Sequence, residues 1–575
     1  MSSNAPPENF LPRFSDTKDV DTFVEMLGKF ESGEITTEQF RMFRLLRGVY
    51  GQRQSDVQML RVKIPFGRLF PEQLDALADV GERYSRGYGH ITTRQNVQFH
   101  FVKMSDAEAA LRRLDEAGLT TREACGNSVR TVTACEVASV CEGAAFDVTP
   151  YAEAVTRMFL RHPLSSSLPR KFKIAFSGCA NDCAYGAIND LGFVATVKDG
   201  QRGFKVLAAG GLSTTPQAAI VLHDFVPAGE ISRVGEALLR VFHALGNREN
   251  KHRARLKYVL RKLGEAGFRE AYAKQRDAVA AEAIAELVEA PQPRTTPAPP
   301  VALPDAAPRT PGYLAWKASA VFQQKQAGYA AVYLRLPLGD VTCPQFRELG
   351  KLATRFGDGS LLLSIDQNLV IPWVDVRSLA ALHAELVALD LAHLDRDTVK
   401  DVMSCPGAES CNLAVTGSRS LARAIEERVD DAAVRALQGF AKTDIKISGC
   451  PNSCGQHHVA DLGFHGAAKT TNGVTVPMYQ LHLGGGVDER GARFGKQVVK
   501  LIARRVPDAV VELLKLFETD RLENEEPATF FQRVDPKRVV AALTPLLGPP
   551  VPGDEADIGE TTGFLVAIGQ GECAA

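Results

Sequence analysis

Eight of the eleven cysteines in the sequence fall into two sets with the same spacing. In each set, two cysteines separated by five residues are followed, about forty residues later, by two cysteines separated by three residues. Four thiolates are the ligands that iron–sulfur clusters require, because soft sulfur donors match the iron of such clusters. The first-half set is Cys135, Cys141, Cys179 and Cys183, and the second-half set is Cys405, Cys411, Cys450 and Cys454.

Two other interpretations of the cysteines are open. A four-thiolate zinc site usually has two to four residues between the cysteines of both pairs, so the gap of five residues favours iron. Buried structural thiols are common for a single cysteine but not for four in a repeated pattern. Cys125, Cys343 and Cys573 lie outside the pattern, and we expect Cys573 to belong to a flexible C-terminus.

Composition limits the class of protein. With 575 residues the chain is too long for a single hydrophobic core, so at least two domains are expected. A net charge of −1 gives no general attraction to nucleic acid or to an anionic membrane, and we expect neither as a partner. The sequence lacks both a secretion signal and an apolar run long enough to cross a bilayer, which indicates a cytoplasmic protein. Disulfide bonds are rare in that compartment.

A segment rich in proline, alanine and threonine at 291–311 reads as a linker between two halves, 1–290 and 312–575. The stretch 253–275 before it has the apolar period of a helix and closes the first half. The apolar positions of that helix are Leu256, Val259, Leu260 and Leu263.

The two halves repeat each other at a shift of about 270 residues. Each half contains a short motif, IPFG or LPLG, then a helix that starts with proline, then a stretch that we predict to be one strand. This strand–helix–strand unit predicts an α+β fold with duplicated halves. The repeated segments are 64–67 and 336–339, then 71–84 and 344–356, then 91–102 and 361–374.

The order C-x5-C followed by S-G-C-x3-C resembles the sulfite and nitrite reductase hemoprotein family, and the resemblance extends from about residue 40 to about residue 540. It implies ferredoxin-like subdomains and subdomains that bind siroheme and cluster, related by pseudo-two-fold symmetry. It also implies that Cys405, Cys411, Cys450 and Cys454 hold a [4Fe-4S] cluster. Cys454 would then bridge the cluster to the iron of siroheme.

Siroheme carries eight carboxylates, and sulfite and nitrite are themselves anions. A nearly neutral protein must therefore concentrate basic residues at the site. Any single exposed lysine is more often merely solvated, but in LPRKFKIAF the alternation would put Lys171 and Lys173 on one face. By resemblance, the substrate anion is surrounded by Arg61, Arg130, Lys171 and Lys173. Siroheme carboxylates are expected to contact Arg94 and Arg170, with further contacts from 247–255.

The repeat indicates a single siroheme. Cationic positions of the first half align with acidic or neutral positions of the second half, and carboxylates would repel a polycarboxylate macrocycle. The aligned pairs are Arg94 with Asp366, Lys173 with Asp444, Arg61 with Tyr333, and Arg170 with Ala441. The first-half set then has two possible roles that the sequence leaves open. It holds a second [4Fe-4S] cluster through which electrons enter, or it is a relic of the duplication.

The resemblance implies six-electron reduction of sulfite to sulfide, with reduction of nitrite to ammonia as the alternative. Lysine at position 173 fits the sulfite-type members, because plant-type nitrite enzymes tend to have asparagine there. Burial among cations would lower the pKa of Lys171 and Lys173 and make them proton donors. A non-catalytic iron–sulfur electron-transfer protein is a more distant alternative.

No G-x-G-x-x-G motif follows a predicted strand, which disfavours direct reduction by a nicotinamide cofactor. We expect ferredoxin as the electron donor, with a separate flavoprotein as the alternative. Some members of the family join a cysteine near the substrate to a tyrosine, and Cys125 and Tyr50 are the candidates for such a link here.

Overall fold

The computed structural model describes residues 11–281, 310–471, 473–566, 568, 569 and 572. Most of the predicted linker at 291–311, and Cys573, lie outside the described residues. Within them, no helix has the length and apolar character that crossing a membrane would require.

The described part of the first half alternates short strands with helices. Its strands are β1 (Val49–Gly51), β2 (Val57–Val62), β3 (Arg68–Leu69), β4 (Tyr88–Ile91), β5 (Val97–Lys103), β6 (Thr133–Ala134), β7 (Ile174–Ser177), β8 (Leu191–Lys198), β9 (Gln201–Ala208) and β10 (Ile220–Pro227). Its helices are α1 (Thr17–Glu31), α2 (Thr37–Leu46), α3 (Pro71–Tyr84), α4 (Ala107–Glu116), α5 (Thr149–Phe159), α6 (Ile231–Leu245) and α7 (Leu256–Ala281).

The described part of the second half repeats this order and adds helices at its end. Its strands are β11 (Val321–Gln323), β12 (Tyr329–Leu334), β13 (Asp340–Thr342), β14 (Leu361–Leu363), β15 (Leu369–Asp375), β16 (Met403–Ser404), β17 (Ile445–Ser448), β18 (Leu462–Thr471), β19 (Val474–Leu483), β20 (Gly486–Asp488), β21 (Gly491–Arg493) and β22 (Lys496–Ile502). Its helices are α8 (Pro311–Ala320), α9 (Cys343–Phe356), α10 (Leu379–Ala388), α11 (Ser418–Arg428), α12 (Ala432–Arg435), α13 (Val506–Asp520), α14 (Pro527–Arg533) and α15 (Pro536–Leu543).

The two ferredoxin-like sheets exchange edge strands. One sheet has the order β1-β2-β5-β4-β13 and the other β11-β12-β15-β14-β3, so each sheet takes its last strand from the opposite half. The helices α3 and α9 pack against each other. Each begins with proline in its first turn, and Thr342 forms a reciprocal capping box with Gln345 at the start of α9. The duplicated α+β fold is therefore confirmed, and its halves are interlocked.

The stretches 91–102 and 361–374 were each predicted to be one strand, and this prediction is wrong. Each is a hairpin, β4–β5 or β14–β15, with a polar turn between the strands. Gln95 and Gln367, at the two turns, have positive φ angles of 53° and 66°. Their side-chain amides each donate across to the opposite half, Gln95 to Leu363 O over 2.7 Å and Gln367 to Ile91 O over 2.9 Å. These symmetric contacts satisfy buried carbonyl groups and fix the turns.

The cysteines lie on a second pair of sheets. Their orders are β10-β9-β8-β7-β6 and β16-β17-β18-β19-β22. The strands β6, β7 and β8 run parallel to one another, and so do β16, β17 and β18. The core of the first-half cysteine sheet includes Ala331 and Tyr333 of β12. Each half therefore contributes to the surroundings of the other.

The helix predicted at 253–275 is α7, which continues to Ala281 and is interrupted at Gly264, where φ is +69°. Leu256, Val259 and Leu260 are buried as expected. Leu263 is 37% exposed, because the helical path changes direction at the next residue.

Candidate functional site: cysteine cradles and a cationic cavity

The second-half set lies at one edge of its sheet. Cys405 follows β16 and Cys450 follows β17, and these strands are parallel, so their carboxyl ends meet at the same edge. Gly449 N donates to Cys405 Sγ over 3.2 Å. A Cβ atom at Gly449 would lie 2.7 Å from Thr416 O, closer than side-chain carbons approach. Glycine before the cysteine is therefore required by packing against the neighbouring loop.

Burial and neighbouring thiols raise the pKa values of three thiols of this set. Burial and the neighbouring thiol of Cys454 raise the pKa of Cys411 to about 12, and the pKa values of Cys405 and Cys450 are raised for the same reasons. Thiols with raised pKa values become stable thiolates when cationic iron is bound among them. The donor set therefore fits an iron–sulfur cluster.

The first-half set has the same main-chain arrangement. Cys135 N donates to Phe176 O over 2.9 Å, as Cys405 N donates to Ile447 O over 3.2 Å. Ala145 N donates to Gly178 O over 2.8 Å, as Val415 N donates to Gly449 O over 2.7 Å. The duplication has thus preserved the backbone cradle around both sets, although the side chains nearby differ. The paired residues are Cys135 and Cys405, Phe176 and Ile447, Ala145 and Val415, and Gly178 and Gly449.

The thiols of the first-half set are also close together. A hydrogen bond with Cys183 raises the pKa of Cys179, and a hydrogen bond with Cys135 raises the pKa of Cys183. Cys141 follows at the end of the same loop, where Cys141 N donates to Val137 O over 2.7 Å.

A cavity between the halves brings Cys454, the last cysteine of the second-half set, close to cationic residues of the first half. Its walls include Arg94 and Lys173 on one side and Ser453, Cys454 and Gln456 on the other. The remaining lining residues are Thr93, Thr133, Ala184, Tyr185, Ile188, Asn189, Leu212 and Ile365. Two cationic side chains in one cavity are an arrangement that stabilises a bound anion.

Arg94 lies at the tip of the β4–β5 turn and enters this cavity. Its guanidinium donates to Asn189 Oδ1 over 2.9 Å, to Thr131 O over 2.6 Å and to Ile174 O over 3.1 Å. Burial and the charge of Arg130 lower the pKa of Arg94 to about 9. These hydrogen-bond acceptors are all uncharged, so an anionic ligand would stabilise the buried guanidinium.

Lys173 lies immediately before β7. Its main-chain N–H donates to Asp190 Oδ2 over 2.9 Å, and Asp190 is held by Arg255 at 2.7 Å. Burial, followed by the charges of Arg94, Lys171 and Arg255, lowers the pKa of Lys173 well below its usual value. Phe172 is fully buried between the partly buried Lys171 and Lys173, in the alternation that the sequence predicts. Arg170 is partly buried and directly precedes them.

Arg61 and Arg130 meet at the loop 124–126. Both donate to Ala124 O, over 3.2 Å and 2.9 Å, and Arg130 also donates to Gly126 O over 2.9 Å. The charge of Arg130 acts on Arg94, so the two guanidinium groups are near each other, but Arg61 and Arg130 do not line the cavity itself. The structure thus brings Arg61, Arg94, Arg130, Lys171 and Lys173 to one region.

Cys125 is fully buried, and Arg61 donates to its Sγ atom over 3.2 Å. Tyr50 lies on β1, where it pairs with Met59 of β2, two residues from Arg61. The covalent link between Tyr50 and Cys125 stays a prediction.

The region beside the first-half set carries a different charge. Asp444 forms an ion pair with Lys446 at 3.0 Å, and Lys446 Nζ donates to Tyr185 OH over 2.9 Å. Tyr333 OH donates to Glu136 Oε1 over 3.1 Å. Burial and the charge of Asp366 raise the pKa of Glu136 to about 7. Carboxyl groups therefore occupy the region that corresponds to the cationic cavity.

Sequence reasoning missed several residues that shape these pockets. Asp190 and Arg255 position Lys173, and Lys446 neutralises Asp444. The repeated motif D-L-G-F, which contains Asp190 and Asp461, was the available signal for the first pair.

Comparison with known proteins agrees with this geometry. The family model described as the nitrite and sulphite reductase 4Fe-4S domain matches residues 125–279 and 395–543. The model described as the nitrite/sulfite reductase ferredoxin-like half domain matches residues 50–117 and 322–389. Together these segments cover most of the chain. The chain belongs to the nitrite and sulfite reductase family.

Relatives and a solved structure of the family cover nearly the same length. The chain is 31% identical over 466 residues to ferredoxin–nitrite reductase of Synechococcus elongatus, covering 79% of this chain and 85% of the relative. It is 30% identical over 491 residues to sulfite reductase [ferredoxin] of Mycobacterium tuberculosis, covering 83% and 82%. The structure of the Mycobacterium tuberculosis NirA protein matches with a TM-score of 0.76 and 26% identity, covering 91% of this chain and 95% of that one.

The family, the enzyme class and the cofactors predicted from the sequence are confirmed. This is an oxidoreductase of the sulfite or nitrite reductase type, whose cofactors are a [4Fe-4S] cluster and siroheme. The purely electron-transferring alternative is therefore wrong, whereas the assignment of the cluster to particular cysteines stays a prediction. The relatives include both nitrite reductases and sulfite reductases.

Proposed function

We propose that this chain reduces sulfite to sulfide with electrons from ferredoxin. The observation that carries the proposal is Lys173 in one cavity with Arg94 and Cys454. A second lysine beside Lys171 balances the double charge of sulfite, whereas nitrite carries a single charge. The ferredoxin assignment is supported by the names of the nitrite and sulfite reductases that this chain resembles.

When bound, the cluster supplies electrons one at a time, and the siroheme iron provides the position at which the substrate sulfur binds. Cys454 is the proposed ligand common to the two cofactors, and Cys405, Cys411 and Cys450 would hold the rest of the cluster. Arg94, whose described hydrogen bonds go to uncharged acceptors, is the proposed partner of siroheme carboxylates, and so is Arg170.

The four proposed substrate contacts are Arg61, Arg130, Lys171 and Lys173. Their charges offset the negative charge that develops on substrate oxygen as each S–O bond breaks. One hydrogensulfite ion, six electrons and six protons give one hydrosulfide ion and three water molecules. Lys173 is suited to deliver protons because its surroundings lower its pKa.

The first-half set is the proposed site of a second [4Fe-4S] cluster through which electrons enter. Its support is the main-chain cradle that both sets share, together with the close approach of Cys135, Cys179 and Cys183. The neighbouring pocket contains Asp366, Asp444 and Glu136 and is unsuited to a polycarboxylate macrocycle, so this cluster would lack a siroheme partner.

Reduction of nitrite to ammonia is the second candidate. It is favoured by the names of several relatives, including ferredoxin–nitrite reductase of Zea mays, which is 32% identical over 485 residues. The same cavity would serve, because both substrates are small oxyanions that bind through their central atom.

The deciding experiment is a comparison of kcat/KM for sulfite and nitrite in the purified holoenzyme with reduced ferredoxin. We expect the larger value for sulfite, with sulfide as the measured product. A value for nitrite at least tenfold above that for sulfite would overturn the assignment in favour of the second candidate. An absorption spectrum without a siroheme Soret band in reconstituted protein would overturn both.

A further inference from the structure

Four histidines of the second half lie together in the interior. They are 0% to 8% exposed, although histidine is usually found in contact with solvent. His457 and His458 lie in a short 3-10 turn, His457–Val459, that closely follows Cys454, His465 lies on β18 and His482 lies on β19.

The register of β18 and β19 brings these residues together. Gly463 of β18 is directly opposite His482 of β19, and His465 lies two residues further along the same face. A Cβ atom at position 463 would overlap His457 O. The turn that carries His457 and His458 therefore packs directly against the sheet at Gly463, where no side chain is present. The turn and the two strands therefore direct four imidazoles into one volume.

Three of the rings have the geometry of metal ligands. One ring nitrogen from each of His457, His458 and His482 lies within 4.8 Å of the others. Neither ring nitrogen of His457 has a hydrogen-bond partner among the described residues, although both are buried. A buried polar group without a partner is costly, and a bound cation would satisfy it.

The other ring nitrogens are held by outer contacts. His458 Nε2 lies 3.0 Å from Ser213 O and donates to it, while His465 Nδ1 and His482 Nε2 lie 2.8 Å apart. Metal-binding histidines commonly use one nitrogen for such a bond, which fixes the ring and leaves the other nitrogen to the metal.

The protonation state of the four histidines also favours metal binding. Burial lowers the pKa of His458 and of His465 to about 4 and that of His482 to about 3, and that of His457 lies well below its usual value. Neutral imidazole is the form that binds metal. Ligands that are all nitrogen favour zinc, copper or nickel over the oxygen-seeking calcium and magnesium.

We propose that His457, His458 and His482 bind one Zn²⁺ ion, and that His465 orients the ring of His482. The site is separate from both cysteine sets. It would join the loop that carries Cys454 to β18 and β19, and so hold that cysteine in position from outside the cavity.

The test uses the holoenzyme, loaded with Zn²⁺ alone and then desalted, with zinc and iron measured by plasma mass spectrometry. We expect about one zinc per chain in the wild type. His457→Gln should lower zinc at least fivefold without changing iron, whereas His223→Gln, which alters a histidine of β10 bonded to Tyr272, should keep zinc at the wild-type value. Less than a tenth of a zinc per wild-type chain, or full zinc in His457→Gln, overturns the proposal.

X-ray absorption at the zinc edge tests the site in the wild type, so this result does not depend on whether a variant folds. The proposal requires a nitrogen shell at about 2.0 Å with the outer scattering of imidazole. A sulfur shell at about 2.3 Å would place the zinc on cysteines and overturn the proposal. Siroheme absorbance and sulfite reduction are independent of these readouts, so failure of the zinc site leaves the proposed function intact.

Discussion

Thr93 donates a hydrogen bond from its side-chain hydroxyl to the main-chain carbonyl of Cys454 over 3.2 Å. Thr93 belongs to the turn that carries Arg94, and Cys454 is the last cysteine of the second-half set. Together with the symmetric glutamine contacts at the two turns, this bond fixes the first-half cations relative to the second-half thiols. The cationic cavity is therefore a property of the interface between the halves.

Arg94→Gln should reduce siroheme content. The substitution removes a buried charge whose described partners are neutral, and a charge-assisted hydrogen bond contributes roughly 1.5–3 kcal/mol, or about tenfold or more in affinity. We expect at least a fivefold loss of siroheme per chain, measured from extracted chromophore, with cluster iron retained.

The control for this change is Asp366→Asn at the aligned position of the second half. It should leave siroheme content at the wild-type value, because the charge of Asp366 acts on Glu136, the neighbour of Cys135 in the first-half set. Equal losses in the two variants would contradict the assignment of the cationic cavity to siroheme.

Lys173→Asn should change the preference between substrates. Removing one donor that stabilises developing charge costs about 10²–10³ in rate. We expect kcat/KM for sulfite to fall by about a hundredfold and kcat/KM for nitrite to change by less than about fivefold, since nitrite carries less charge. Both are measured with reduced ferredoxin in the holoenzyme.

Lys442→Asn is the matched control, because Lys442 is the second-half counterpart of Lys171 and forms an exposed ion pair with Glu526 at 2.8 Å. Its rates with both anions should stay within twofold of the wild type. A parallel fall for sulfite and nitrite in Lys173→Asn would show that Lys173 does not distinguish them.

The sequence predicted the chemical groups of the site better than the strands, turns and ion pairs that position them. Spacing alone identified the cysteine sets, and alternation placed Lys171 and Lys173 on one face, because these signals are local. The sequence predicts a strand where the structure has the turn at Arg94. This turn is fixed by the hydrogen bond from Gln95 to Leu363, and a partner 268 residues away leaves no local signal. The exchange of β3 and β13 between sheets and the ion pair of Asp190 with Arg255 likewise depend on distant partners.

Asp190 and Asp461 occupy the same position of the repeat and should respond oppositely to replacement by asparagine. Asp190 is fully buried and paired with Arg255, so Asp190→Asn leaves a buried guanidinium uncompensated and should destabilise the protein by about 3 kcal/mol. The measurement is the urea midpoint of unfolding at pH 8 relative to the wild type.

For Asp461, burial and the charge of Asp444 raise the pKa to about 7. Between about pH 4 and pH 7 the folded state keeps a proton that the unfolded state releases, so the wild type loses stability as pH rises through this window. Asp461→Asn removes that loss and should stabilise the protein by roughly 1–2 kcal/mol at pH 8 and by much less at pH 5. An equal effect at both pH values would contradict the raised pKa.

Iron content separates the two roles of the first-half set. Two clusters and one siroheme require roughly nine irons per chain, whereas one cluster and siroheme require roughly five. We expect the higher number in the wild type and a loss of about four irons in Cys179→Ser, with the siroheme Soret band unchanged. Cys343→Ser, a buried cysteine outside both sets, should keep the full iron content. If the wild type and Cys179→Ser both contain roughly five irons per chain, the first-half cysteines bind no cluster and are a relic of the duplication.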